Sequence, residues 1–190
     1  MIDKKFDPKS KHRLNNPQRL RNIPIEIIID NLALDNPKNL VDYGAGTGFM
    51  TDFIAESYPN ARIFALDIEP AMTEDIENNS GSSNIFPILI EDNQMPFSEN
   101  DIDAVWSITV YHEMTSPEIW LRNVHRTLKP NGKLLIIDWA QNQDPEIKAG
   151  PPIEHRINEN NIIKSLEKLK FKNIEVFTGL KNHFGIVAQK

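Results

Sequence analysis

Strand-like and helix-like segments alternate along most of this chain, and that alternation restricts its fold more than any other feature of the sequence. Short apolar runs, typical of buried strands, are followed by segments whose apolar residues recur every three or four positions. The predicted strands are residues 40–43, 61–67, 85–90, 102–110, 134–139, 173–178 and 183–189. The predicted helices begin near Pro24, Phe49, Pro70, Ser116 and Asn158.

This order predicts an α/β fold with a mostly parallel sheet and helices on both faces. The last two strands are close enough in sequence to form a hairpin, which adds one antiparallel strand. Pro87 cannot donate a ladder hydrogen bond, so the third strand is expected near a sheet edge. Residues 130–132 read as a turn that precedes the fifth strand, and residues 140–157 read as a loop. Ligands of such sheets bind at the carboxyl ends of the strands.

A glycine-rich loop follows the first strand, with Gly44, Gly46 and Gly48 leading into a helix. Glycines allow a sharp turn and a close ligand approach because they have no Cβ atom. The dinucleotide pattern needs its third glycine at the position of Phe49, and the chain has no Gly-Lys-Ser/Thr phosphate loop. The loop therefore predicts a ligand site, whereas the lack of these two patterns disfavours a pyrophosphate as the ligand.

Acidic residues follow the next two strands. Asp67 ends the second strand, where a carboxylate accepts hydrogen bonds from both hydroxyls of a ribose. Asp92 follows the third strand and is suited to accept a hydrogen bond from an adenine amino group. Together with the glycine loop, these residues predict a nucleoside-containing ligand.

Composition narrows the class of protein. A length of 190 residues predicts one domain, residues 23–190, preceded by an arm. The absence of Cys excludes disulfides, thiolate metal sites and thiol nucleophiles. The chain has no apolar run of membrane-spanning length, and residues 1–22 contain no secretory signal. We expect a cytoplasmic protein without a membrane partner.

Charge is unevenly distributed. Residues 1–22 carry seven Lys or Arg against two Asp, whereas the remaining residues carry 14 basic and 25 acidic side chains. An acidic body disfavours a broad nucleic-acid-binding face, so a nucleic-acid partner is not expected. The basic arm is either a solvated terminus, a contact for an anion, or a lid over the body.

The motifs of the central region resemble those of the class I S-adenosylmethionine-dependent methyltransferases. They are VDYGAGTG (41–48), FALDIEPAM (64–72), IEDNQMPF (90–97), DIDAVWSITVYHEM (101–114) and LKPNGKLLIIDW (128–139). The FDP start, the HE pair after the fourth strand and the DW and GPP elements also resemble a compact bacterial and archaeal subgroup. The resemblance implies the strand order 3-2-1-4-5-7-6, with strand 7 antiparallel, and S-adenosylmethionine as cofactor.

The resemblance also implies positions for the cofactor. The methionine end would be shaped by the glycine loop and β-strand residues Asp42, Gly44, Ala45, Gly46, Gly48 and Ser107. Asp67 would hold the ribose with Ile68 against the adenine, and Asp92 would take the adenine amino group with Asn93 beside it. The residue before the first glycine varies among such families, and in this chain it is Tyr43. Its hydroxyl is a candidate for contact with the sulfonium or the substrate. Segments before the first strand would cover the cofactor, with Arg13, Leu14, Arg19 or Arg21 facing its carboxylate or the acceptor.

His112 is the candidate general base for the acceptor, since imidazole titrates near neutral pH. It is alternatively a substrate-binding group or a structural loop residue, and Glu113 is suited to orient it. The H-E-x-x-H pattern fails at Ser116, so no metal is expected. The other candidates for contact with the acceptor are Tyr111, Glu113, Trp139, His155, Arg156 and His183.

The sequence thus predicts methyl transfer from S-adenosylmethionine to a small-molecule acceptor, by a monomer or a homodimer. One alternative is a methyltransferase that acts on RNA or protein through the basic arm. Another is a cofactor-binding module that regulates a partner without catalysis. Val110 to Glu113 does not match the [DN]-P-P-[YF] element typical of nucleic-acid base methylation.

Overall fold

The computed structural model describes residues 8–141 and 150–190. A short 3₁₀ helix, Pro8–Arg13, comes first, and two others cover Tyr111–Glu113 and Ile153–His155. The α-helices are α1 Gln18–Asn22, α2 Ile25–Leu32, α3 Phe49–Ser57, α4 Pro70–Asn79, α5 Pro117–Thr127 and α6 Glu159–Lys168. The strands are β1 Asn39–Tyr43, β2 Arg62–Asp67, β3 Ile85–Leu89, β4 Ile102–Ile108, β5 Leu128–Trp139, β6 Lys172–Phe177 and β7 His183–Gln189.

The seven strands form one sheet in the order β3-β2-β1-β4-β5-β7-β6, which confirms the predicted order. Strands β3, β2, β1, β4 and β5 are parallel, whereas β7 runs antiparallel to both β5 and β6. Strand β3, with Pro87, is an edge strand as predicted. The parallel arrangement brings the carboxyl ends of β1, β2, β3, β4 and β5 to the same edge of the sheet.

Two apolar clusters lie on opposite faces of the sheet, so both faces are covered by helices as predicted. One cluster includes Trp120 of α5 and Leu166 of α6. The other includes Ile28 of α2, Ile54 of α3 and Ile76 of α4. All five residues of β1 are buried, because an interior strand of such a sheet has helices against both of its faces.

Strand β5 differs from the prediction, because it begins at Leu128 rather than after the predicted turn at residues 130–132. Leu128 already pairs with Ile102 of β4, and the next pair is Lys133 with Ala104. Between these pairs β5 advances by five residues and β4 by two, so the predicted turn is a bulge inside the strand. A Cβ atom on Gly132 would lie 2.9 Å from the Lys129 carbonyl oxygen, so the bulge requires glycine there.

Strand β4 ends at Ile108, two residues earlier than predicted. Thr109 has a left-handed φ of 60°, which turns the chain out of the strand direction. The turn leads into the 3₁₀ helix that carries His112, at the carboxyl edge of the sheet.

The described part of the basic arm lies against the body. Lys11 Nζ is 2.7 Å from an Asp75 carboxylate oxygen on α4. Thr47 in the glycine loop donates a hydrogen bond to the Asn15 side chain. These contacts favour a covering segment over a solvated terminus for residues 8–22. Within residues 8–141 and 150–190, none of the helices has the length and apolar character of a membrane span.

Candidate functional site

A cavity of about 600 Å³ opens at the carboxyl edge of the sheet. Its walls come from the glycine loop, the basic arm, the loops that follow β2, β3 and β4, the end of β5, residues 150–155 and the start of β7. Its volume is in the usual range of small-molecule sites. The sheet therefore places its cavity where parallel α/β sheets bind ligands.

The glycine loop forms one wall, and its geometry requires glycine. Gly44 and Gly46 have φ angles of +75° and +58°. A Cβ atom on Gly44 would lie 2.4 Å from Val110, and one on Gly46 would lie 2.9 Å from Leu14 of the arm. The loop is thus enclosed between the chain after β4 and the arm, which approach this closely because glycine has no Cβ atom.

Asp67 lies at the cavity and holds the glycine loop. One carboxylate oxygen accepts a hydrogen bond from the Gly46 N–H at 2.8 Å, and the other accepts from the Glu69 N–H at 3.0 Å. Burial raises the pKa of Asp67 although these hydrogen bonds oppose the shift. A carboxylate has about four acceptor positions, so Asp67 retains capacity to accept from a ligand. Ala45 and Ile68 also line this part of the cavity.

Asp42 lies behind the cavity wall, not on it. It is 3% exposed and accepts a hydrogen bond from the Thr51 hydroxyl at 2.7 Å. Burial raises the pKa of Asp42 to about 6, although Thr51 and the positive charge of Arg19 act in the opposite direction. Asp42 therefore ties β1 to the first turn of α3. No linear motif in the sequence indicates Thr51 as a partner of Asp42.

The loop after β3 supplies a second group of candidate ligand contacts. Asp92 lines the cavity and accepts a hydrogen bond from the Thr115 hydroxyl at 2.6 Å. Asn93 lies outside the lining, and its N–H donates to the Tyr43 hydroxyl at 2.8 Å. Tyr43 lines the cavity with its hydroxyl engaged in this way, and burial raises its pKa, so the phenol is neutral near neutral pH.

Two other predicted cofactor residues lie inside the protein. Ser107 is completely buried in β4, and its hydroxyl has no hydrogen-bond partner among the described residues. Gly48 precedes α3 with a φ of +78°, and a Cβ atom there would lie 2.9 Å from Ile76. Neither residue lines the cavity. Both lie behind the residues that form its wall.

At the other end of the cavity, His112 is held by Asp138. His112 Nδ1 lies 2.8 Å from one Asp138 oxygen, and the His112 main-chain N–H donates to the other at 3.0 Å. Glu113 Oε1 lies 3.6 Å from His112 Nε2, and both His112 and Glu113 line the cavity. His112 and Glu113 are predicted from the sequence to lie near the acceptor, whereas the pairing of His112 with Asp138 is not predicted.

The charge state of His112 follows from these contacts. Burial lowers its pKa, but the hydrogen bond and negative charge of Asp138, together with Glu113, outweigh burial. Arg156 acts in the same direction as burial. The pKa of His112 therefore lies above the ordinary value for histidine, which makes its neutral ring a stronger base than free imidazole.

His183 provides a second imidazole with the opposite shift. Its ring centroid is 4.2 Å from that of Trp139, and its Nδ1 is 2.6 Å from the Lys181 carbonyl oxygen. Its Nε2 is shielded from water and has no hydrogen-bond partner among the described residues. Burial lowers the pKa of His183 to about 4, so this ring is neutral near neutral pH.

Of the remaining residues predicted to contact the acceptor, some line the cavity and others do not. Trp139 and His155 line the cavity. Arg156 is 5% exposed, and its guanidinium donates to the carbonyl oxygens of Pro151 and Ala140 at 3.0 and 2.9 Å. These two hydrogen bonds hold residues 140 and 151 together beside Trp139. Arg156 does not line the cavity. Tyr111 is buried too, with its ring edge-on to Trp120.

The arm contributes charge to the cavity through Arg19. Its guanidinium donates to the Leu14 carbonyl oxygen at 3.0 Å and lines the cavity. Burial lowers the pKa of Arg19, and the negative charge of Asp42 opposes the shift. Arg13 and Leu14 also line the cavity, whereas Arg21 does not. Among the residues that the structure describes, no cluster of three or more His, Cys, Asp or Glu is arranged to hold a metal ion.

Comparison with known proteins identifies a family for the central region. The family model described as a methyltransferase domain matches residues 41–136, half of the chain. A malonyl-acyl-carrier-protein O-methyltransferase of Legionella pneumophila is 32% identical over 101 residues, which cover 53% of this chain and 36% of that protein. The first curated relatives are longer than this chain, since the matched regions span between 36% and 54% of their lengths.

Solved structures extend the similarity to nearly the whole chain. An S-adenosylmethionine-dependent methyltransferase from Aquifex aeolicus has a TM-score of 0.88 and 27% identity, with coverage of 97% of this chain and 99% of that one. Human N-acetylserotonin methyltransferase in complex with S-adenosylmethionine has a TM-score of 0.73 at 16% identity, with 97% and 56% coverage. The second likeness is one of fold alone.

Proposed function

The chain belongs to the class I S-adenosylmethionine-dependent methyltransferases, and from that premise we propose that it methylates a small-molecule acceptor held beside His112. One observation carries the proposal. A single cavity joins the glycine loop and Asp67 at one end to His112 at the other. A cofactor at the first end and an acceptor at the second would then meet within one cavity.

The residues present fit S-adenosylmethionine, which supplies an activated methyl group on a sulfonium sulfur. Asp67 would accept hydrogen bonds from the ribose hydroxyls, and Asp92 from the adenine amino group. Ile68 supplies apolar contact for the adenine. Gly44, Ala45 and Gly46, which line the cavity, would lie against the methionine end. Arg19 supplies a positive charge for its carboxylate.

Positioning accounts for much of the expected rate enhancement. An acceptor atom held about 3 Å from the methyl carbon and in line with the breaking bond gains roughly 7–11 kcal/mol from orientation. His112 then acts as the general base, which adds about 10²–10⁴-fold where the acceptor must lose a proton. Tyr43 contributes through its neutral hydroxyl and its support of the Asn93 loop.

Two observations favour a small acceptor over RNA or protein. The basic side chains Arg13 and Arg19 line the cavity, so they are used to cover it. The body outside the arm is acidic, with 25 acidic against 14 basic residues, which disfavours a polyanion. The arm is therefore proposed as a lid. The cofactor-binding module without catalysis is less well supported, because His112, which is paired with the buried Asp138, lines the cavity.

Calorimetric titration of the wild-type protein tests this function first. We expect S-adenosylmethionine and S-adenosylhomocysteine to bind with micromolar dissociation constants and NAD to show no binding. Absence of binding by both adenosyl compounds would contradict the proposal. Tight binding without turnover on panels of small-molecule, RNA and protein acceptors would favour the regulatory module instead.

A further inference from the structure

Asp138, at the end of β5, is fully committed as a hydrogen-bond acceptor. It is completely buried and does not line the cavity. One oxygen accepts from the His112 main-chain N–H at 3.0 Å, and the other accepts from the Trp139 main-chain N–H at 2.7 Å. The second oxygen also lies 2.8 Å from His112 Nδ1. Each oxygen thus already accepts a hydrogen bond from a main-chain N–H group, which can only donate.

This arrangement fixes the tautomer of His112. Because both Asp138 oxygens accept from main-chain N–H groups, the hydrogen in the pair with His112 belongs to Nδ1. A neutral His112 then has its lone pair on Nε2, the ring nitrogen on the far side from Asp138. His112 lines the cavity, so the lone pair is offered to the acceptor end.

Glu113 disfavours an anionic group next to His112 Nε2. Its Oε1 is 3.6 Å from His112 Nε2, and its side chain also lines the cavity. An anionic group brought to Nε2 would meet this carboxylate at close range, and like charges repel strongly in a partly buried site. A group that carries a hydrogen would instead meet two hydrogen-bond acceptors there, His112 Nε2 and the Glu113 carboxylate.

Resting on the proposed function, we propose that Asp138 is a positioning residue that presents His112 Nε2 as a proton acceptor. The methyl acceptor is accordingly a compound whose reacting atom carries a hydrogen, a hydroxyl or an amine, rather than a carboxylate. A carboxylate has a free lone pair and no proton to give, so it would make no use of the Asp138–His112 pair.

The transfer step balances with these groups. The acceptor O–H or N–H gives its proton to His112 Nε2, and the acceptor lone pair forms the bond to the methyl carbon. The carbon–sulfur bond breaks with its electron pair passing to sulfur, and the sulfonium becomes a neutral thioether. The His112 imidazolium, stabilised by Asp138 and Glu113, then releases its proton to water.

Nuclear magnetic resonance of protein labelled with ¹⁵N-histidine tests the positioning role without an acceptor. In the wild type we expect neutral His112 to carry its proton on Nδ1, and its pKa to lie above that of free histidine. Asp138→Asn should lower that pKa by at least one unit, because the charge that stabilises the imidazolium is lost. The groups that face His112 from other positions, Glu113 and Arg156, are unchanged in this variant.

Glu118→Gln is the matched control, since Glu118 is exposed and pairs with Lys168 outside the cavity. It should leave the His112 titration unchanged. A wild-type His112 with its proton on Nε2 would overturn the positioning role, and so would an unchanged pKa in a folded Asp138→Asn protein. The wild-type tautomer decides the question even where Asp138→Asn does not fold.

The acceptor class is tested with S-adenosylmethionine and phenol, benzylamine and benzoate as probes at matched concentrations, with release of S-adenosylhomocysteine as readout. Turnover of phenol or benzylamine and not of benzoate is expected, with a kcat that falls at least 10-fold in Asp138→Asn at unchanged KM. Turnover of benzoate alone would overturn the proposal. Failure of S-adenosylmethionine to bind in the calorimeter would defeat the proposed function separately, because the His112 tautomer is measured without cofactor.

Discussion

The glycine-loop end of the cavity is built mainly from main chain, whereas the His112 end is built from side chains that three strands bring together. At the first end, the Gly46 N–H is held by Asp67, and the N–H groups of Gly44 and Ala45 donate to the Leu66 carbonyl oxygen. At the second, His112 after β4 is paired with Asp138 of β5, and Trp139 is stacked on His183 of β7.

The difference shows which wall of the cavity depends on individual side chains. A wall of main chain keeps its shape as long as its glycines and one carboxylate are present. A wall of side chains changes its chemistry with each substitution, because hydrogen-bond partners and local charge set each group's protonation. His112 and His183 illustrate this, since Asp138 and Glu113 raise the pKa of the first and burial lowers that of the second.

The largest expected effect is at the side-chain end. His112→Gln should lower kcat with the identified acceptor by about 10²–10⁴-fold, because the base is removed while the cavity keeps a polar side chain of similar size. S-adenosylhomocysteine affinity, measured by calorimetry, should be nearly unchanged. His12→Gln, at an exposed arm position outside the cavity lining, is the control. Equal kcat values for His112→Gln and wild type across pH would remove the assigned base.

Asp67→Ala tests the main-chain end. The ribose hydroxyls would lose a charged acceptor and the Gly46 N–H would lose its partner, each worth about 1.5–3 kcal/mol. We expect S-adenosylhomocysteine to bind about 10²-fold more weakly in calorimetry, with no change in the pKa of His112. Glu77→Ala, at an exposed position on α4, should bind as the wild type does. A wild-type dissociation constant for Asp67→Ala would contradict the ribose role.

Glycine substitutions test whether the loop geometry itself is required. Gly44→Ala introduces a Cβ 2.4 Å from Val110 at a φ of +75°, so we expect a loss of about 2–3 kcal/mol in the free energy of unfolding. Gly81→Ala is the control, because no atom lies within 4 Å of its Cβ position. Urea denaturation of both variants measures the difference. Equal stability of the two would mean that the loop relaxes without strain.

Arg19 lines the cavity from the arm, and its substitution shows which ligand it serves. Arg19→Gln should weaken S-adenosylhomocysteine binding by about 10-fold, because the amino-acid carboxylate loses a charged partner. Methylthioadenosine, which lacks that amino acid, should bind equally to the variant and the wild type. Arg21→Gln, outside the cavity lining, is the control. Equal weakening of both ligands would point to a structural role of the arm.

The two ends also differ in how far the sequence predicts them. Gly44, Gly46 and Asp67 lie in continuous motifs at the ends of adjacent strands, so this wall was predictable. The strand order was implied by the resemblance of these motifs to a family. The pairing of His112 with Asp138 joins residues 26 positions apart and depends on the neighbouring ends of β4 and β5. Arg156 was interpreted as an acceptor contact because a sequence does not show that its guanidinium is turned to the Pro151 and Ala140 carbonyls.

The pH dependence of stability provides a further contrast at the side-chain end. The pKa of His183 is about 4 in the folded protein against an ordinary 6.5, so between these values the unfolded chain binds more protons. The contribution of His183 therefore lowers stability as pH falls through this window, and His183→Phe should gain about 2 kcal/mol over wild type at pH 5 relative to pH 7. Phenylalanine keeps the ring that stacks on Trp139, and Lys181, Asp138, Arg19 and Arg156 around it are unchanged.

His112→Phe provides the opposite case in the same urea denaturation. The raised pKa of His112 gives a stabilising contribution that is complete below pH 6.5 and is lost as pH rises through the higher folded value. This variant should therefore lose more stability, relative to wild type, at pH 5 than at pH 8. Parallel pH profiles for the two histidine variants would contradict opposite charge preferences, because only a difference in their surroundings separates two identical side chains.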